Sequence, residues 1–551
     1  MKPAREVIEV NFPELEALME RARQGPLGEE DCQKLEAAIH ALSHLIELIG
    51  EKQTTISRLR ALLLKPSTEK TRKVLEQAGL PTAASSISPP PSTSASDSQK
   101  KKPGHGRNGA EAYRGAKQIQ IAHASLKPGD GCPECEKGKV YRQKDPALRI
   151  RVVGQAPLQA TVYELERLRC NLCGVLFEAE APEGVGEQKY DESAAAMIGL
   201  LKYGSGVPFY RLAGLEGNLG IPLPPATQWG IVAETAKLIR PAFEELIRQA
   251  AQGEVLYNDD TAMKILALAR ASPRTVKVDE EVSDSRLRTG QFTSGIVSTR
   301  QGQRMALFFT GRRHAGENLA HVLVRRAAGL QAPIQMCDAL SRNLPKLPKP
   351  LETIVANCLA HARRQFVDVV SNFPEPCRHV LESLGEVYGY DAQAEAGGLS
   401  PEERLRFHQE HSQPVMDQLH AWLRAQFEEK RVEPNSGLGT AIAYVLRHWD
   451  RLTLFLRQAG APLDSNLVER ALKKAILHRK NSLFYKTENG AEVGDLFMSL
   501  IHTCELNGAN PFDYLTELQK HAAELEKNPA AWMPWNYGEA LGRAPAGVDS
   551  G

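Results

Sequence analysis

Apolar side chains recur at alternating spacings of four and three residues between positions 32 and 64, beginning at Leu35. This heptad-like seam predicts a helix, although polar Gln53 and Arg60 interrupt it at core positions. Two interpretations remain open: a short coiled coil that pairs protomers, or an amphipathic helix that packs on its own chain. We assign residues 1–80 to an N-terminal helical segment with coiled-coil character.

A stretch rich in serine and proline follows this helix. It carries too few apolar residues to order itself by burial, and it ends in the basic cluster Lys100–Lys102. We therefore predict a flexible, basic linker over residues 81–116. A small module over 117–182 comes next, and two of its segments, Ala147–Val153 and Thr161–Arg167, have the composition of β-strands.

Residues 190–250 have helical periodicity. The pattern predicts helices over Ser193–Tyr203 and Phe209–Asn218, a turn at Gly220, and a further helix that begins near Ala226. This order is typical of a helix-turn-helix DNA-binding domain. Ordinary helical domains show the same pattern, so both interpretations remain open.

Short apolar runs of strand type appear from residue 254 onward. They predict strands over Val255–Asn258, Gln291–Ser298, Arg304–Thr310, Pro333–Cys337 and Thr353–Asn357, with helices over Gly316–Ala328 and Leu359–Val370. Three strands in series, followed by alternating helix and strand, predict a mixed α/β sheet.

This α/β unit extends over 254–371 and resumes over 461–525. The intervening residues 372–460 return to helical periodicity, which predicts a helical insertion, and 526–551 form a C-terminal tail. The predicted fold class is therefore multidomain α+β.

Chain length and net charge exclude few classes of fold or function. A chain of 551 residues has room for about three or four domains. Its 68 basic and 67 acidic residues nearly cancel, so any affinity for nucleic acid must come from local clusters. No segment approaches the roughly 18 apolar residues of a membrane span, and the N-terminus lacks the pattern of a signal peptide. We expect a soluble, intracellular protein.

Two CxxC knuckles, Cys132-Pro-Glu-Cys135 and Cys170-Asn-Leu-Cys173, are separated by 34 residues. Together they supply four sulfurs, the ligand set of a structural zinc ribbon. A redox dithiol and disulfides are the alternatives. Because a four-sulfur site has no open coordination position, we expect this zinc to stabilise a small module and not to catalyse. The other cysteines are scattered and are expected to be reduced and mostly buried.

Asp259 and Asp338 each follow an apolar run of strand type. Side chains at the carboxyl ends of neighbouring strands meet at one edge of an α/β sheet, and two acids there can share Mg²⁺ or Mn²⁺. Two such ions, about 4 Å apart, would activate a water or hydroxyl and stabilise the leaving oxygen of a phosphodiester. Aspartate is also frequent in loops after strands, and Asp260 competes with Asp259 for this role.

Residues 462–481 predict a helix whose N-cap is Asp464 or Ser465. Its buried stripe is predicted to contain Val468, Leu472 and Ala475. Glu469, Lys473 and Lys480 fall near an adjacent face. They are either a surface ion-pair cluster, or an arrangement that brings Glu469 to the aspartates and the lysines to DNA phosphates. The stretch 451–490 contains eight Lys/Arg and three Asp/Glu, so it is locally basic.

Seven motifs in one order resemble the large transposase protein of the insertion sequence 66 family of bacterial mobile elements. They are Ser67-Thr-Glu-Lys70; His105-Gly-Arg107; Lys202-Tyr203 with Val207-Pro-Phe-Tyr-Arg211; Asn258-Asp-Asp-Thr261; Cys358-Leu-Ala-His-Ala-Arg-Arg-Gln-Phe366; Asp464-Ser-Asn-Leu-Val-Glu-Arg470 through His478-Arg-Lys-Asn-Ser-Leu-Phe484; and Leu506-Asn-Gly-Ala-Asn-Pro-Phe-Asp-Tyr-Leu515. The chain departs from the family pattern at His478 and Ser482, where glycine and tryptophan are usual.

The resemblance implies an RNase H-like catalytic domain with a DDE triad formed by Asp259, Asp338 and Glu469, which would bind Mg²⁺ or Mn²⁺. It further implies DNA partners, namely terminal inverted repeats and target DNA, together with a homo-oligomer that is at least a dimer, small accessory proteins of the same element, and a cytoplasmic, nucleoid-associated location. The candidate DNA-binding residues are Arg363, Arg364, Lys473, Arg479, Lys480 and Asn481.

Two rival functions remain at this stage. In the first, a non-catalytic DNA-binding protein uses the zinc module and the basic helix, and the acids are incidental. In the second, an RNase H-like nuclease cuts DNA without strand transfer. For His361, Arg363 and Arg364, on the helix after the strand Thr353–Asn357, phosphate contacts and a solvated helix face with one packed histidine are both open.

Overall fold

The computed structural model describes residues 71–77, 124–135, 137–142, 156–169, 176–183, 188–270 and 290–542, together with Arg21, Gly28, Asp31 and Val185. Three predictions lie outside the described residues: the heptad seam over 32–64, the flexible linker over 81–116, and the second knuckle, Cys170 with Cys173. The predicted strand over Ala147–Val153 also lies outside them.

Two compact units make up the described chain. The larger contains residues 71–77, 188–211, 225–270 and 290–542, and the smaller contains the described residues of 124–185 together with 212–224. In the described parts, no helix is long and apolar enough to cross a membrane.

The first helices come before the main sheet. They are α1 (Thr71–Gln77), α2 (Glu192–Gly199), which continues as a π-helix over Leu200–Gly204, α3 (Phe209–Asn218) and α4 (Pro225–Ala250). The predicted helix over Phe209–Asn218 is confirmed at both ends, and Asp191 caps α2 by accepting a hydrogen bond from the amide of Ala194 at 2.8 Å.

One sheet of five strands forms the centre of the larger unit. The strands are β3 (Val255–Ala262), β4 (Phe292–Arg300), β5 (Gln303–Gly311), β6 (Ile334–Cys337) and β7 (Ile354–Asn357), in the spatial order β5-β4-β3-β6-β7. β3, β4 and β5 are antiparallel, whereas β6 pairs in parallel with both β3 and β7. The predicted mixed sheet is confirmed.

β3 is longer than the sequence predicted, because it continues through both aspartates to Ala262. Asp259 is paired with Gly295 and Asp260 with Ser294, so the antiparallel partner β4 keeps these polar residues in the ladder. The predicted end at Asn258 is therefore wrong.

Helices connect and cover the sheet. They are α5 (Leu266–Arg270), α6 (Ala315–Leu323), α7 (Leu359–Val369), α8 (Pro374–Ala396), α9 (Pro401–Glu428), α10 (Gly437–Arg447), α11 (Trp449–Leu452), α12 (Asn466–Ser482), α13 (Glu488–Leu506), α14 (Pro511–Lys520), α15 (Ala522–Lys527) and α16 (Tyr537–Ala540). The helical character of 372–460 is confirmed, and so is the buried stripe Val468, Leu472 and Ala475 of α12.

α13 covers the outer edge of β5 through its polar side chains. Four backbone N–H groups of the strand donate to the helix: Arg304 to Asn507 Oδ1 at 3.1 Å, Ala306 to Thr503 Oγ1 at 3.0 Å, Phe308 to Ser499 Oγ at 2.9 Å and Thr310 to Asp495 Oδ2 at 2.6 Å. Four helical residues rise about 6 Å and two strand residues about 6.7 Å, so the two repeats stay in step. The edge strand is thereby hydrogen-bonded on both sides.

The smaller unit contains a two-stranded ladder of β1 (Arg167–Arg169) and β2 (Leu176–Glu178). The predicted strand over Thr161–Arg167 is wrong, since only Arg167 belongs to a strand. Its partner β2 is three residues long and pairs only with 167–169. One further backbone hydrogen bond, from the Ala179 amide to Glu166 O at 2.9 Å, continues the pairing by a single residue, so the ladder does not extend over 161–165.

Candidate active site

Asp259 and Asp338 lie on neighbouring parallel strands. The β3–β6 register pairs Tyr257 with Met336, and Asp338 is the first residue after β6. Continued by two residues, this register brings Asp338 alongside Asp259. This arrangement agrees with the expectation that the two aspartates lie close together at one edge of the sheet.

Asn343 links the two carboxylates. Its side-chain Nδ2 lies 2.5 Å from Asp338 Oδ1 and 3.4 Å from Asp259 Oδ1, in the 3₁₀ turn that follows β6 (Ser341–Asn343). Asn343 is fully buried, and its Oδ1 has no hydrogen-bond partner among the described residues. Two carboxylates that share one neutral donor, beside an unused amide oxygen, form an oxygen-rich pair of the kind that binds a hard divalent cation.

Glu469 reaches this region because its helix lies close against the sheet. It occupies the first turn of α12, one residue beyond the buried Val468. A Cβ built on Gly295 of β4 would lie 3.0 Å from Leu472 and 3.3 Å from Val468, so glycine permits the close approach. Gly295 is the direct partner of Asp259, and directly opposed residues of an antiparallel pair face the same side. Asp259 therefore faces the side covered by α12.

Electrostatics distinguish Asp259 from an ordinary surface acid. The pKa of Asp259 is raised to about 6, chiefly by burial and in smaller part by the nearby charges of Asp338 and Asp260, while the hydrogen bond from the Asp260 amide and the charge of His361 oppose the shift. Such crowding of negative charge is relieved when a cation binds.

Other side chains already engage the carboxylate of Asp260, the alternative to Asp259 that the sequence left open. His314 Nδ1 lies 2.9 Å from Asp260 Oδ2, and Arg342 Nη2 lies 3.3 Å from Oδ1. The Asp260 side chain is only 2 % exposed. Since neighbouring strand residues point to opposite faces, Asp260 lies on the side covered by α6, where Asn318 donates to Ser294 Oγ at 2.9 Å.

Sequence reasoning missed Cys358 and His361 as neighbours of Glu469. His361 Nδ1 lies 3.7 Å from Glu469 Oε1, and Ser465 Oγ lies 3.3 Å from that same oxygen. The adjacent Cys358 side chain is the main cause that raises the pKa of His361 to about 9, and the charge of Glu469 adds to it. The Cys-x-x-His spacing at the start of α7 is the only sequence signal, and by itself it does not indicate Glu469.

The candidate DNA-binding residues differ in accessibility. Lys473 and Lys480 are exposed on α12, four and eleven residues after Glu469, which places them near its face of the helix. Arg479 donates to Thr261 Oγ1 at 3.1 Å, and Asn481 donates to Gly206 O at 3.1 Å. These two contacts tie the helix end to its surroundings.

Arg363 and Arg364 lie on α7 and are less accessible than the lysines. The Arg363 side chain is buried and donates to Thr71 Oγ1 at 3.2 Å, whereas Arg364 is half-buried. Their role in phosphate binding remains a prediction.

The first knuckle forms a compact turn in the smaller unit. The amide of Cys132 donates to Gly138 O at 2.8 Å, and a β-bridge joins Gly131 to Lys139. The backbone N–H groups of Lys137 and Gly138, directed at the Cys135 sulfur, lower the pKa of Cys135. This turn therefore favours the thiolate, which is the form that binds zinc.

The remaining cysteines agree with the sequence interpretation. Cys337, Cys358, Cys377 and Cys504 are buried and unbridged, as predicted. Cys32 lies outside the described residues.

Comparison with known proteins identifies relatives over most of the chain. Residues 188–493 match the family profile described as "Transposase IS66 family". A protein of Sinorhizobium fredii named "Uncharacterized protein y4jD" is 27% identical over 430 residues, which cover 75% of this chain and 79% of that protein. Another from the same organism, "Uncharacterized protein y4hP", is 24% identical over 440 residues, or 77% of this chain and 76% of that protein.

Proposed function

The chain belongs to the IS66 transposase family, whose members act on DNA, and we propose that Asp259, Asp338 and Glu469 form a DDE catalytic triad. The proposed reaction is metal-dependent cleavage at the ends of the insertion element, followed by transfer of the freed 3′-OH into target DNA. The matched region contains all three acids.

One observation carries this proposal: Asp259, which shares the donor Asn343 with Asp338, faces the side of the sheet that the Glu469 helix covers. Asn343 contacts both aspartates, Gly295 permits the close approach of α12 to the strand next to Asp259, and His361 Nδ1 lies 3.7 Å from Glu469 Oε1. The order of the sheet, with three antiparallel strands followed by two parallel ones, supports an RNase H-like catalytic domain.

The donor set fits the metal that this chemistry uses. Three carboxylates offer only oxygen ligands, which Mg²⁺ and Mn²⁺ prefer. Bound there, two such ions would activate the attacking water or 3′-OH and stabilise the leaving oxygen of the phosphodiester. In this proposal the residues of the chain hold and orient the ions. Asn343 would fix the spacing of the two aspartates, and the packing of α12 against β4 would fix the position of Glu469. No serine or tyrosine nucleophile is required.

The DNA backbone has a natural partner in the exposed lysines of the same helix. Lys473 and Lys480 lie near the Glu469 face of α12 and would contact phosphates beside the scissile bond. Phosphate contacts of this kind fix position without reading sequence. Terminal inverted repeats would be read by the smaller unit and by the helices before the sheet.

Substitution of each acid tests the triad. Asp259→Asn, Asp338→Asn and Glu469→Gln are each expected to abolish Mg²⁺-dependent cleavage of DNA that carries the ends of the element. Asp260→Asn is the matched control, because this neighbouring acid is held by His314 and Arg342, and we expect it to retain cleavage once folding has been verified. If Mg²⁺-dependent cleavage survives in all three triad variants, the triad assignment is wrong; if the wild type binds this DNA but never cleaves it, the protein is a DNA-binding protein whose acids are incidental.

A second assay separates transposition from simple nuclease activity. End DNA with a free 3′-OH is incubated with a plasmid and Mg²⁺, and joined products are counted. Joined products support strand transfer, whereas nicking alone would identify a nuclease.

We further propose that Cys132, Cys135, Cys170 and Cys173 bind a structural Zn²⁺ that stabilises the smaller unit. The knuckle turn at Cys135 and its lowered pKa support this assignment. Metal analysis of the purified chain should find one bound zinc fewer in Cys132→Ser than in the wild type. We also propose that the active complex contains at least two copies and that accessory proteins of the same element take part. Light scattering of the DNA-bound protein tests the first of these.

A further inference from the structure

Three potential metal ligands from two helix starts converge beside the proposed triad. Cys358 is the N-cap residue of α7, His361 lies in its first turn, and Glu469 lies in the first turn of α12. One ligand atom from each lies within 4.8 Å of the others. The sequence separates Glu469 from the other two by the whole helical insertion.

Backbone contacts hold these two helix starts together. The amide of Ser465 donates to Cys358 Sγ at 3.3 Å, and the amide of Leu359 donates to Leu463 O at 2.9 Å. Cys358 is fully buried, so its sulfur has little freedom to move. The ligands are thus positioned before any ion binds.

The geometry is close to what a tetrahedral ion requires. Two atoms bound at about 2.1 Å in tetrahedral arrangement lie about 3.4 Å apart. His361 Nδ1 and Glu469 Oε1 are 3.7 Å apart, which leaves only a small adjustment. Nδ1 is buried and has no hydrogen-bond partner among the described residues. The side chains of His361 and Glu469 are 24% and 27% exposed, so an ion can reach them from solvent.

The donor set differs in kind from that of the triad. Sulfur, imidazole nitrogen and one carboxylate oxygen select Zn²⁺ and other thiophilic ions, whereas Mg²⁺ selects oxygen alone. Three protein ligands also leave a fourth position open, unlike the closed four-sulfur site of the knuckles. Glu469 belongs both to this ligand set and to the proposed triad. Its carboxylate therefore cannot bind ions in the two sites independently of each other.

We propose that Cys358, His361 and Glu469 form a binding site for Zn²⁺ or a similar thiophilic divalent ion, and that its occupation withdraws Glu469 from the Asp259–Asp338 pair. The binding site stands on its own geometry, while the competition rests on the proposed function. Zinc then acts as an inhibitor of the metal-dependent reaction.

Cobalt binding tests the site without any assay of activity. Co²⁺ is titrated into the reduced, metal-free full chain, and the thiolate-to-cobalt charge-transfer absorption and the number of bound ions are measured. We expect Cys358→Ser and His361→Ala each to bind one ion fewer than the wild type, with correspondingly weaker absorption for Cys358→Ser. Cys377→Ser, which changes another buried cysteine that does not belong to this cluster, should match the wild type. The four knuckle cysteines are unchanged in all of these proteins, so their contribution to the cobalt absorption and to the number of bound ions is the same in each.

Unchanged stoichiometry and spectrum in Cys358→Ser and His361→Ala would overturn the site. Circular dichroism of each variant shows whether a loss of cobalt reflects unfolding. If one variant fails to fold, the other decides.

Manganese displacement tests the competition. Mn²⁺ bound to the full chain is followed by electron paramagnetic resonance while Zn²⁺ is added. In the wild type, Zn²⁺ should displace Mn²⁺, and the zinc concentration required should rise at least about tenfold in Cys358→Ser, the factor typical of a weakened metal site. Equal displacement in both proteins would overturn the competition.

Cleavage assays keep this inference separate from the proposed function. If the wild type cleaves DNA, Zn²⁺ should inhibit it, and Cys358→Ser should need about tenfold more zinc for the same inhibition. If the wild type binds cobalt at this site but never cleaves, the proposed function fails and the metal site stands.

Discussion

Gly295 lies directly opposite Asp259 in the β3–β4 ladder, and its missing side chain leaves the space that Leu472 of the Glu469 helix occupies. A single glycine therefore controls how closely the helix of Glu469 approaches the strands of Asp259 and Gly295. Backbone freedom is not the reason for glycine here; the reason is the volume that any Cβ would take.

Gly295→Ala is expected to destabilise the fold and to reduce cleavage, because its Cβ would lie 3.0 Å from Leu472. Overpacking of this kind costs about 1–3 kcal/mol of unfolding free energy. Urea unfolding and Mg²⁺-dependent cleavage measure the two effects. In the double variant Gly295→Ala/Leu472→Ala, the space is restored, so its destabilisation should be smaller than the sum of the two single changes. Strict additivity would mean that the two residues do not meet.

Asn343→Ala removes the donor shared by Asp259 and Asp338. The two carboxylates then repel each other without a common partner, so the affinity for Mn²⁺ should fall by about 10–100-fold, as for other residues that orient metal ligands. Titration followed by electron paramagnetic resonance measures this affinity. Asn435→Ala, an exposed asparagine in another part of the fold, is the control and should bind Mn²⁺ as the wild type does. An unchanged affinity in Asn343→Ala would contradict this role.

Asp495 should make the stability of the protein fall as pH rises. Burial raises the pKa of Asp495 to about 7, although hydrogen bonds from Thr310 oppose the shift. The folded protein therefore retains a proton that the unfolded chain releases above about pH 4. Between about pH 4 and pH 7 this group lowers the free energy of unfolding by up to about 1.4 kcal/mol per pH unit, and above that range its effect is constant.

Asp495→Asn should remove this contribution, since an amide does not titrate and can still accept from the Thr310 amide. Urea unfolding at several pH values between about pH 5 and pH 7 gives the slope for each protein. Asp513→Asn, at an exposed position, should keep the slope of the wild type. Identical slopes in all three proteins would show that Asp495 is ionised throughout.

Ser499→Ala tests how much the hydrogen bonds from β5 to α13 contribute to the stability of the fold. The change leaves the buried amide of Phe308 without its acceptor, which costs about 1–3 kcal/mol of unfolding free energy. Hydrogen exchange at the Phe308 amide should accelerate as well. Thr503→Ser serves as the control at the next turn, since it keeps the hydroxyl that accepts from Ala306. Equal exchange rates at Phe308 in Ser499→Ala and the wild type would contradict the arrangement.

Local patterns predicted the elements of the fold well, because burial dictates them. Apolar runs indicated each strand of the sheet, and the stripe through Val468 indicated the buried face of α12. The end of β3 was wrong because its polar residues gain backbone partners only from β4, about 35 residues further along the chain.

The site itself was predictable only in part. Strand ends suggested that Asp259 and Asp338 meet, but the choice between Asp259 and Asp260 depends on which face of the sheet α12 covers. No local pattern contains that information. The approach of Cys358 to Glu469 was likewise hidden, because 110 residues, among them the helical insertion over 372–460, lie between them in the sequence.

Ser482 and His478, two positions that depart from the family pattern, each contact neighbouring side chains in the fold. Ser482 accepts a hydrogen bond from Lys202 Nζ at 2.8 Å, and burial lowers the pKa of Lys202 to about 8. The ring of His478 stacks on Tyr485 at 4.6 Å, and burial lowers the pKa of His478 to about 3, so this histidine is a neutral core residue.

The polar ladder between β5 and α13 also bears on how copies of this chain can associate. An open sheet edge invites strand addition by another molecule, and from there aggregation. Here an intruding strand would first have to break four side-chain bonds that act together. At this edge the helix α13 occupies the position that an added strand would need, so the β5 edge is closed to sheet-to-sheet association between copies of this chain.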